Sequence, residues 1–387
     1  YEISTRDWSS DVCSSDLHAS YERTGRVDEP SLRNISALVG LMGDPQNDYK
    51  IVHVTGTNGK GSTSQIITKL LMAHGLRVGT YASPHLERIN ERILIDGRPI
   101  DDEVFAENIA AVADVEVLAA VRPSFFEILT AAALRCFSDT PVDVAVVEVG
   151  MLGRWDATNV VNADVAVITN IALDHTEYAG PTVLDIAREK VGIVKPESVT
   201  VIGDVTPELV EFFSTAVPDA LRRGENFECS DNHLALGGRL IDVRTQFASY
   251  DDVFVPLHGR HQGDNASAAI VAVESFFGHA VEREVLDEGL GSGFRDGSAR
   301  QIEVADSTPE VRACSEMGLN RPLVFEGKNG NSRSRGGSNG RSSGGSSTGN
   351  DNIDTLTLSG ATSNQNYSNI HQKSVRRAFT SASLFRR

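Results

Sequence analysis

The chain has 387 residues, 40% hydrophobic and 23% charged, with a formal net charge of −17 at pH 7. This is the composition of an ordinary globular protein of two or three domains, and no apolar run reaches the roughly 18–20 residues of a membrane helix. Residues 321–387 are net +7, which leaves −24 on residues 1–320, an acidic body that would repel nucleic-acid phosphates.

Residues 1–19 read as a non-native leader. The run Asp7-Trp8-Ser9-Ser10-Asp11-Val12-Cys13 has neither helical nor strand period and resembles a translated sequencing adapter. Residues 20–300 alternate strand, loop and helix. Ile51–Val54 is a short strand that enters a glycine-rich segment. A helix is expected from Ser62 to His74, with Ile66, Ile67, Leu70 and Leu71 at helical spacing and Gly75 as its terminator. Strands are expected at 78–82, 142–149, 165–169 and 199–202, and helices at 102–112, 125–137, 183–194, 207–216 and 265–277. The run Val144-Ala145-Val146-Val147 is apolar without alternation, as in a parallel strand covered on both faces. This order predicts an α/β fold with a doubly wound, mostly parallel sheet. Residues 301–325 read as the remnant of a linker or of a further domain. Residues 326–387 are rich in Gly, Ser, Asn and Arg and read as a low-complexity, disordered tail.

Thr55-Gly56-Thr57-Asn58-Gly59-Lys60-Gly61-Ser62 carries the most chemistry. Between a strand and a helix, successive amides and the helix dipole can hold a polyphosphate. On that reading Thr57, Asn58, Gly59, Lys60, Gly61 and Ser62 bind nucleotide. Lys60 pairs with the β/γ-phosphates and Ser62 is placed to ligate Mg²⁺. The spacing is shorter than that of the standard P-loop, with a glycine between the lysine and the serine. A bland glycine-rich turn is the competing reading. Glu148 ends an apolar strand on the same sheet edge, where it is either a Mg²⁺ ligand or a solvent-facing carboxylate. His175 follows the strand at 165–169, Lys190 sits among charged residues that could be a solvated helix face, and Asn265 could be a helix N-cap.

The Gly-Thr-Asn-Gly-Lys-Gly-Ser loop resembles that of Mur-type ligases, and the glycine after the lysine is typical of their folate branch. Further segments match that branch in order: Ser83-Pro84-His85-Leu86 with Asn90-Glu91-Arg92-Ile93, Glu148-Val149-Gly150 through Gly153-Arg154 and Asp156-Ala157-Thr158-Asn159, Asp174-His175, Arg188-Glu189-Lys190-Val191-Gly192-Ile193, and Gly259-Arg260-His261-Gln262 with Asn265-Ala266. The chain therefore resembles the folylpolyglutamate synthase/dihydrofolate synthase family of the Mur ligase superfamily. The resemblance implies an ATP-dependent ligase that adds L-glutamate to the γ-carboxylate of tetrahydrofolate or its polyglutamates through an acyl phosphate, with dihydropteroate as a second acceptor. It implies Mg²⁺ ligation by Ser83, Glu148 and His175, adenine contact by Asn265, and nucleotide contact by Arg300. It also implies a carbamate on Lys190, catalytic roles for Lys60, Lys190 and His175, and a folate pocket that includes Ser83, Pro84, His85 and Arg88.

The family's Pro-Gly-Arg segment survives only as Ser298-Ala299-Arg300, and its later His-Asn-Pro signature is absent. That pattern reads as a truncated or frame-shifted copy, so a catalytically incomplete ATP-binding fragment stands beside the ligase reading, with a small-molecule kinase as a third. The four cysteines (Cys13, Cys136, Cys229 and Cys314) are widely spaced with no Cys-x-x-Cys, which fits a reducing compartment. A cytoplasmic monomer with small-molecule partners, and neither nucleic acid nor membrane, is expected.

Overall fold

The computed structural model describes residues 31–291. The leader at 1–19, the remnant at 301–325, the tail at 326–387 and Arg300 lie outside the described residues.

The chain enters on α1 (Arg33–Leu41) and then forms β1 (Lys50–Thr55), α2 (Lys60–Ala73), β2 (Val78–Tyr81) and a short meander, β3 (Ile93–Ile95) and β4 (Arg98–Pro99). Helices α3 (Asp102–Ala119) and α4 (Phe125–Asp139) precede β5 (Val144–Glu148) and β6 (Val165–Asn170). Next come α5 (Thr176–Ala179), α6 (Val183–Lys190), β7 (Val199–Asp204), α7 (Pro207–Ala216) and β8 (Leu221–Arg222). A second sheet of β9 (Glu228–Ala235), β10 (Gly238–Arg244) and β11 (Ser249–Val255) leads to α8 (His261–Phe277) and α9 (Arg283–Gly291).

The large sheet has the order β4-β3-β2-β5-β1-β6-β7-β8, parallel from β2 to β8, with β3 and β4 added antiparallel at one edge. Because β2 lies on one side of β1 and β6 on the other, the strand order reverses around β1. Carboxyl ends flanking such a switch form a crevice in open α/β sheets. The ends of β1, β5 and β6 therefore meet where a ligand can enter.

Both faces of the sheet are covered, which explains the lack of alternation in β5. Ala145 and Val147 turn to a core shared with Leu129, Leu134 and Phe137 of α4. Val144 and Val146 turn to the opposite core, with Ile66, Leu70 and Leu71 of α2 and Ala268, Ala269 and Ile270 of α8. The three-stranded sheet closes this second layer through Ile241, Val243, Tyr250, Val253 and Val255.

Helix α2 illustrates what holds these elements. After Lys60, its first residues Gly61-Ser62-Thr63-Ser64 are weak helix formers, each costing up to about 1 kcal/mol relative to alanine. Ile66, Ile67, Leu70 and Leu71 are fully buried, and each contributes about 1.5–3 kcal/mol. Burial outweighs propensity, so a glycine-rich loop can open a stable helix.

Several expectations change: the helix expected at 102–112 runs on to Ala119. Helix α2 begins at Lys60, two residues before Ser62. The helix expected at 183–194 is α6 followed by a 3₁₀ turn at Val191–Ile193. Helix α8 begins at His261, so Asn265 lies one turn inside it and does not cap it. Among the described residues no helix is long and apolar enough to cross a membrane.

Candidate active site

The loop after β1 is held open by the neighbouring strand. The Thr57 amide donates to the Asn170 carbonyl (3.0 Å) and the Asn58 amide to the Asn170 side-chain Oδ1 (2.8 Å). The Thr169 hydroxyl donates to the Asn58 carbonyl at 2.6 Å. Gly59 adopts φ +79° at the cap of α2, and a Cβ there would lie 2.3 Å from the Asn265 Oδ1. Glycine is required twice over, by conformation and by the close approach of α8. Thr169 and Asn170 were assigned no role from sequence; their signal was a polar pair ending the apolar run 165–168.

Two ammonium groups converge on the loop. Lys60 Nζ donates to the carbonyls of Gly56 (3.0 Å) and Thr57 (3.2 Å). Lys190 Nζ donates to the same Gly56 carbonyl at 2.7 Å, from the end of α6. The start of α6 is fixed by a reciprocal cap, in which the Asp185 amide donates to the Thr182 hydroxyl and the Thr182 amide to the Asp185 carboxylate, both at 3.2 Å. Lys190 is 1% exposed, so it is not on a solvated face. Burial pushes its ammonium down to about 7, helped by the positive charge of Lys60 and opposed by Asp174 and Asp156.

Glu148 is 4% exposed, which overturns the reading of a solvent-facing strand end. Burial raises its carboxyl to about 7, with Lys60, the Ser83 amide and Arg92 pulling the other way. Ser83 follows β2 and its amide donates to the Glu148 Oε2 at 3.3 Å, which sets Ser83 beside the carboxylate. A Cβ at Gly61 would stand 3.7 Å from both Glu148 carboxylate oxygens, so the carboxylate lies against the first turn of α2. His175 sits at the start of α5 with φ +47°, its Nε2 3.4 Å from the Asp174 Oδ2. Burial lowers its pKa, Asp174 opposes this, and the charges of Lys190 and Lys60 add to the lowering. It is therefore within the field of the same lysines and biased to the neutral, ligating form.

Ser62 accepts a long hydrogen bond from the Gln262 amide (3.4 Å), and Asn265 donates to the Gln262 Oε1 at 3.1 Å. Gln262, which the family resemblance included in its segment 259–262 without a role, thus links α8 to the loop 56–62. Asp156, also unassigned from sequence, is buried, accepts from Thr158 and Met151, and acts electrostatically on Lys190 and Glu148. In the segment after β2, buried Arg92 donates to His85 Nδ1 at 2.8 Å. Arg88 pairs with Asp102 at the start of α3, at the exposed rim. Glu91 accepts the amides of Leu86, Glu87 and Arg88 and so fixes the turn behind Pro84.

The donor set suits a divalent cation bound together with polyphosphate. A buried carboxylate with a suppressed charge, an adjacent serine and a neutral imidazole offer hard and borderline ligands, while water and phosphate oxygens would complete the shell. Among the described residues no group of three His, Cys, Asp or Glu side chains could hold a metal by itself.

The reversal of strand order around a glycine-lysine loop, with lysines and a buried carboxylate at its mouth, defines a class of P-loop-type α/β proteins. Residues 54–273 match the family model of the Mur ligase middle domain. The chain is 41% identical over 311 residues to a Mycobacterium tuberculosis dihydrofolate synthase/folylpolyglutamate synthase, covering 74% of this chain and 63% of the relative. A Bacillus subtilis dihydrofolate synthase/folylpolyglutamate synthase is 35% identical over 297 residues, covering 73% of this chain and 68% of that one. Among solved structures, Mycobacterium tuberculosis folylpolyglutamate synthase complexed with ADP superposes with a TM-score of 0.65 at 40% identity, covering 69% and 62% of the two chains. The chain belongs to the dihydrofolate synthase/folylpolyglutamate synthase family of Mur ligases. It spans just under two thirds of the Mycobacterium tuberculosis relative's length.

Proposed function

We propose that this chain binds Mg-ATP at the loop 56–62 and serves a ligase that joins L-glutamate to the γ-carboxylate of tetrahydrofolate or its polyglutamates, with dihydropteroate as a second acceptor. The observation that carries the reading is the convergence of Lys60, Lys190, Glu148 and the loop amides at the carboxyl end of β1. The acidic body supports small-molecule partners over nucleic acid. We take the protein to act as a cytoplasmic monomer, in keeping with its widely spaced cysteines.

A carboxylate resists attack by an amine because resonance makes it a poor electrophile. Phosphoryl transfer from ATP makes an acyl phosphate, the glutamate amine attacks it, and phosphate leaves. Lys60 and the loop amides orient the polyphosphate and offset charge on the transferred group. Ser62, Ser83, Glu148 and His175 would hold Mg²⁺, which when bound neutralises phosphate charge. Lys190, with its pKa near 7, retains the neutral amine fraction that carbamate formation requires. Asn265, lying against Gly59, faces the nucleotide from α8, while Ser83, Pro84, His85 and Arg88 border the folate side. A second reading stays compatible with the sequence, in which the His-Asn-Pro signature is absent: an ATP-binding fragment that lacks turnover.

Incubating the purified chain with Mg-ATP, tetrahydrofolate and glutamate, and weighing the folate product, separates the two. A gain of one glutamyl residue supports the ligase. Nucleotide binding without that gain supports the fragment.

A further inference from the structure

The start of α8 supplies Gln262 and Asn265 to the phosphate loop, yet its backbone is held from the opposite side by the three-stranded sheet. The Asn232 side chain on β9 donates its amide to the Arg260 carbonyl at 2.8 Å. Its Oδ1 accepts from the Arg239 Nε, and its own carbonyl accepts from the Arg239 Nη2 at 3.0 Å. Arg239, on the adjacent strand β10, is 3% exposed, so this fork is set inside the protein. Gly263 completes the seat: a Cβ there would fall 2.2 Å from the Asn232 Nδ2 and 3.1 Å from the Cys229 Sγ. The contact is close because residue 263 has no side chain. On the flank, Arg223 pairs with Asp264 at 2.7 Å and with Asp204 at 3.1 Å.

We propose that Asn232, oriented by Arg239, is a positioning residue that fixes the first turn of α8 and through Gln262 and Asn265 sets the phosphate loop for nucleotide. The functional meaning rests on the nucleotide reading above. The mechanical claim, that Asn232 orders residues 57–65, does not. Asn232 is far from the loop in sequence, and its effect passes through two side chains of α8: Asn265 donates to Gln262 within the helix, and Gln262 donates across to Ser62 of α2. Glu274 gives a control on the same helix. It accepts from the Tyr250 hydroxyl of β11 at 2.6 Å, twelve residues beyond Gln262 and so about 18 Å along the axis. Loss of that bond loosens the sheet from α8 at the end remote from the loop.

The test compares the full chain with Asn232→Ala, Asn232→Asp and Tyr250→Phe. Asn232→Asp keeps the shape and the acceptor for Arg239 but replaces the donor to the Arg260 carbonyl by an acceptor. It serves if the alanine variant does not fold. In the ligand-free proteins, hydrogen exchange at 57–65 should quicken in both Asn232 variants and stay unchanged in Tyr250→Phe. Titration with Mg-ADP should show affinity weakened about five- to tenfold in the Asn232 variants, the size expected for one lost hydrogen bond, and less than twofold in Tyr250→Phe. Unchanged exchange at 57–65 in the Asn232 variants overturns the proposal, as does an equal effect of Tyr250→Phe. If the unmodified chain fails to bind Mg-ADP, the nucleotide reading falls, and the exchange result still decides the positioning claim.

Discussion

Two side chains at the site carry opposite penalties, and their balance sets the pH behaviour. Glu148 is raised from 4.5 to about 7, so between those values the folded, ligand-free chain holds a proton that the unfolded chain has released. Stability from this group therefore falls as pH rises across that window. A divalent cation needs the ionised carboxylate, so metal-nucleotide affinity should climb with pH up to about 7 and then level off. Titrations of Mg-ADP at several pH values check this, and in Glu148→Gln that climb should flatten. Lys190 is lowered from 10.5 to about 7, so it penalises the folded state below about 7, and its contribution improves as pH rises toward 10.5. Lys190→Ala should relieve that penalty, weaken nucleotide binding less than Lys60→Ala does because Lys190 reaches the loop only through the Gly56 carbonyl, and abolish any glutamate addition. Binding assays and product mass read the two effects separately.

At the scale of elements, β1 carries a further buried ionisable group. His53 is fully buried, its Nε2 2.9 Å from the Thr158 hydroxyl, and burial followed by the charge of Lys195 lowers its pKa from 6.5 to about 3. Unfolding lets it take up a proton in that window, so stability is lost as pH falls from about 6.5 toward 3. His53→Gln should flatten the acid limb of melting temperature against pH. The turn that joins β1 to α2 should be equally sensitive: Gly59→Ala meets a left-handed backbone that costs about 1–2 kcal/mol and forces Asn265 aside. It should lower the melting temperature by several degrees and weaken nucleotide binding more than tenfold, which thermal melts and titration would show.

The same elements explain what could be read from sequence. Strands β1, β5, β6 and β7 are runs buried on both faces, and α2, α4 and α7 have clear apolar spacing, so their existence was legible. The second sheet was not: β9 is only half-buried along its length, and β10 has an irregular register between Ile241 and Val243 that breaks a period-two signal. The loop 56–62 announced itself by composition. The burial of Lys190 and Glu148 did not, because each lies at the end of its element, where local pattern gives no information on what covers it. Gln262 and Thr169 act across long sequence separations, and spacing along one chain segment cannot show that.

Over the whole molecule, a sheet clothed on both faces places one crevice at the reversal of strand order, and the chain's chemistry is concentrated there. The central claim is that the amides at the mouth of α2, with Lys60, grip a polyphosphate. Isothermal titration of the intact chain with a non-hydrolysable ATP analogue and Mg²⁺, alongside Lys60→Ala, tests it directly. Saturable one-to-one binding that weakens at least about a hundredfold in the variant is the predicted result, given the strength of charge-assisted contacts in a partly buried site. Equal affinity in the two proteins would contradict the account.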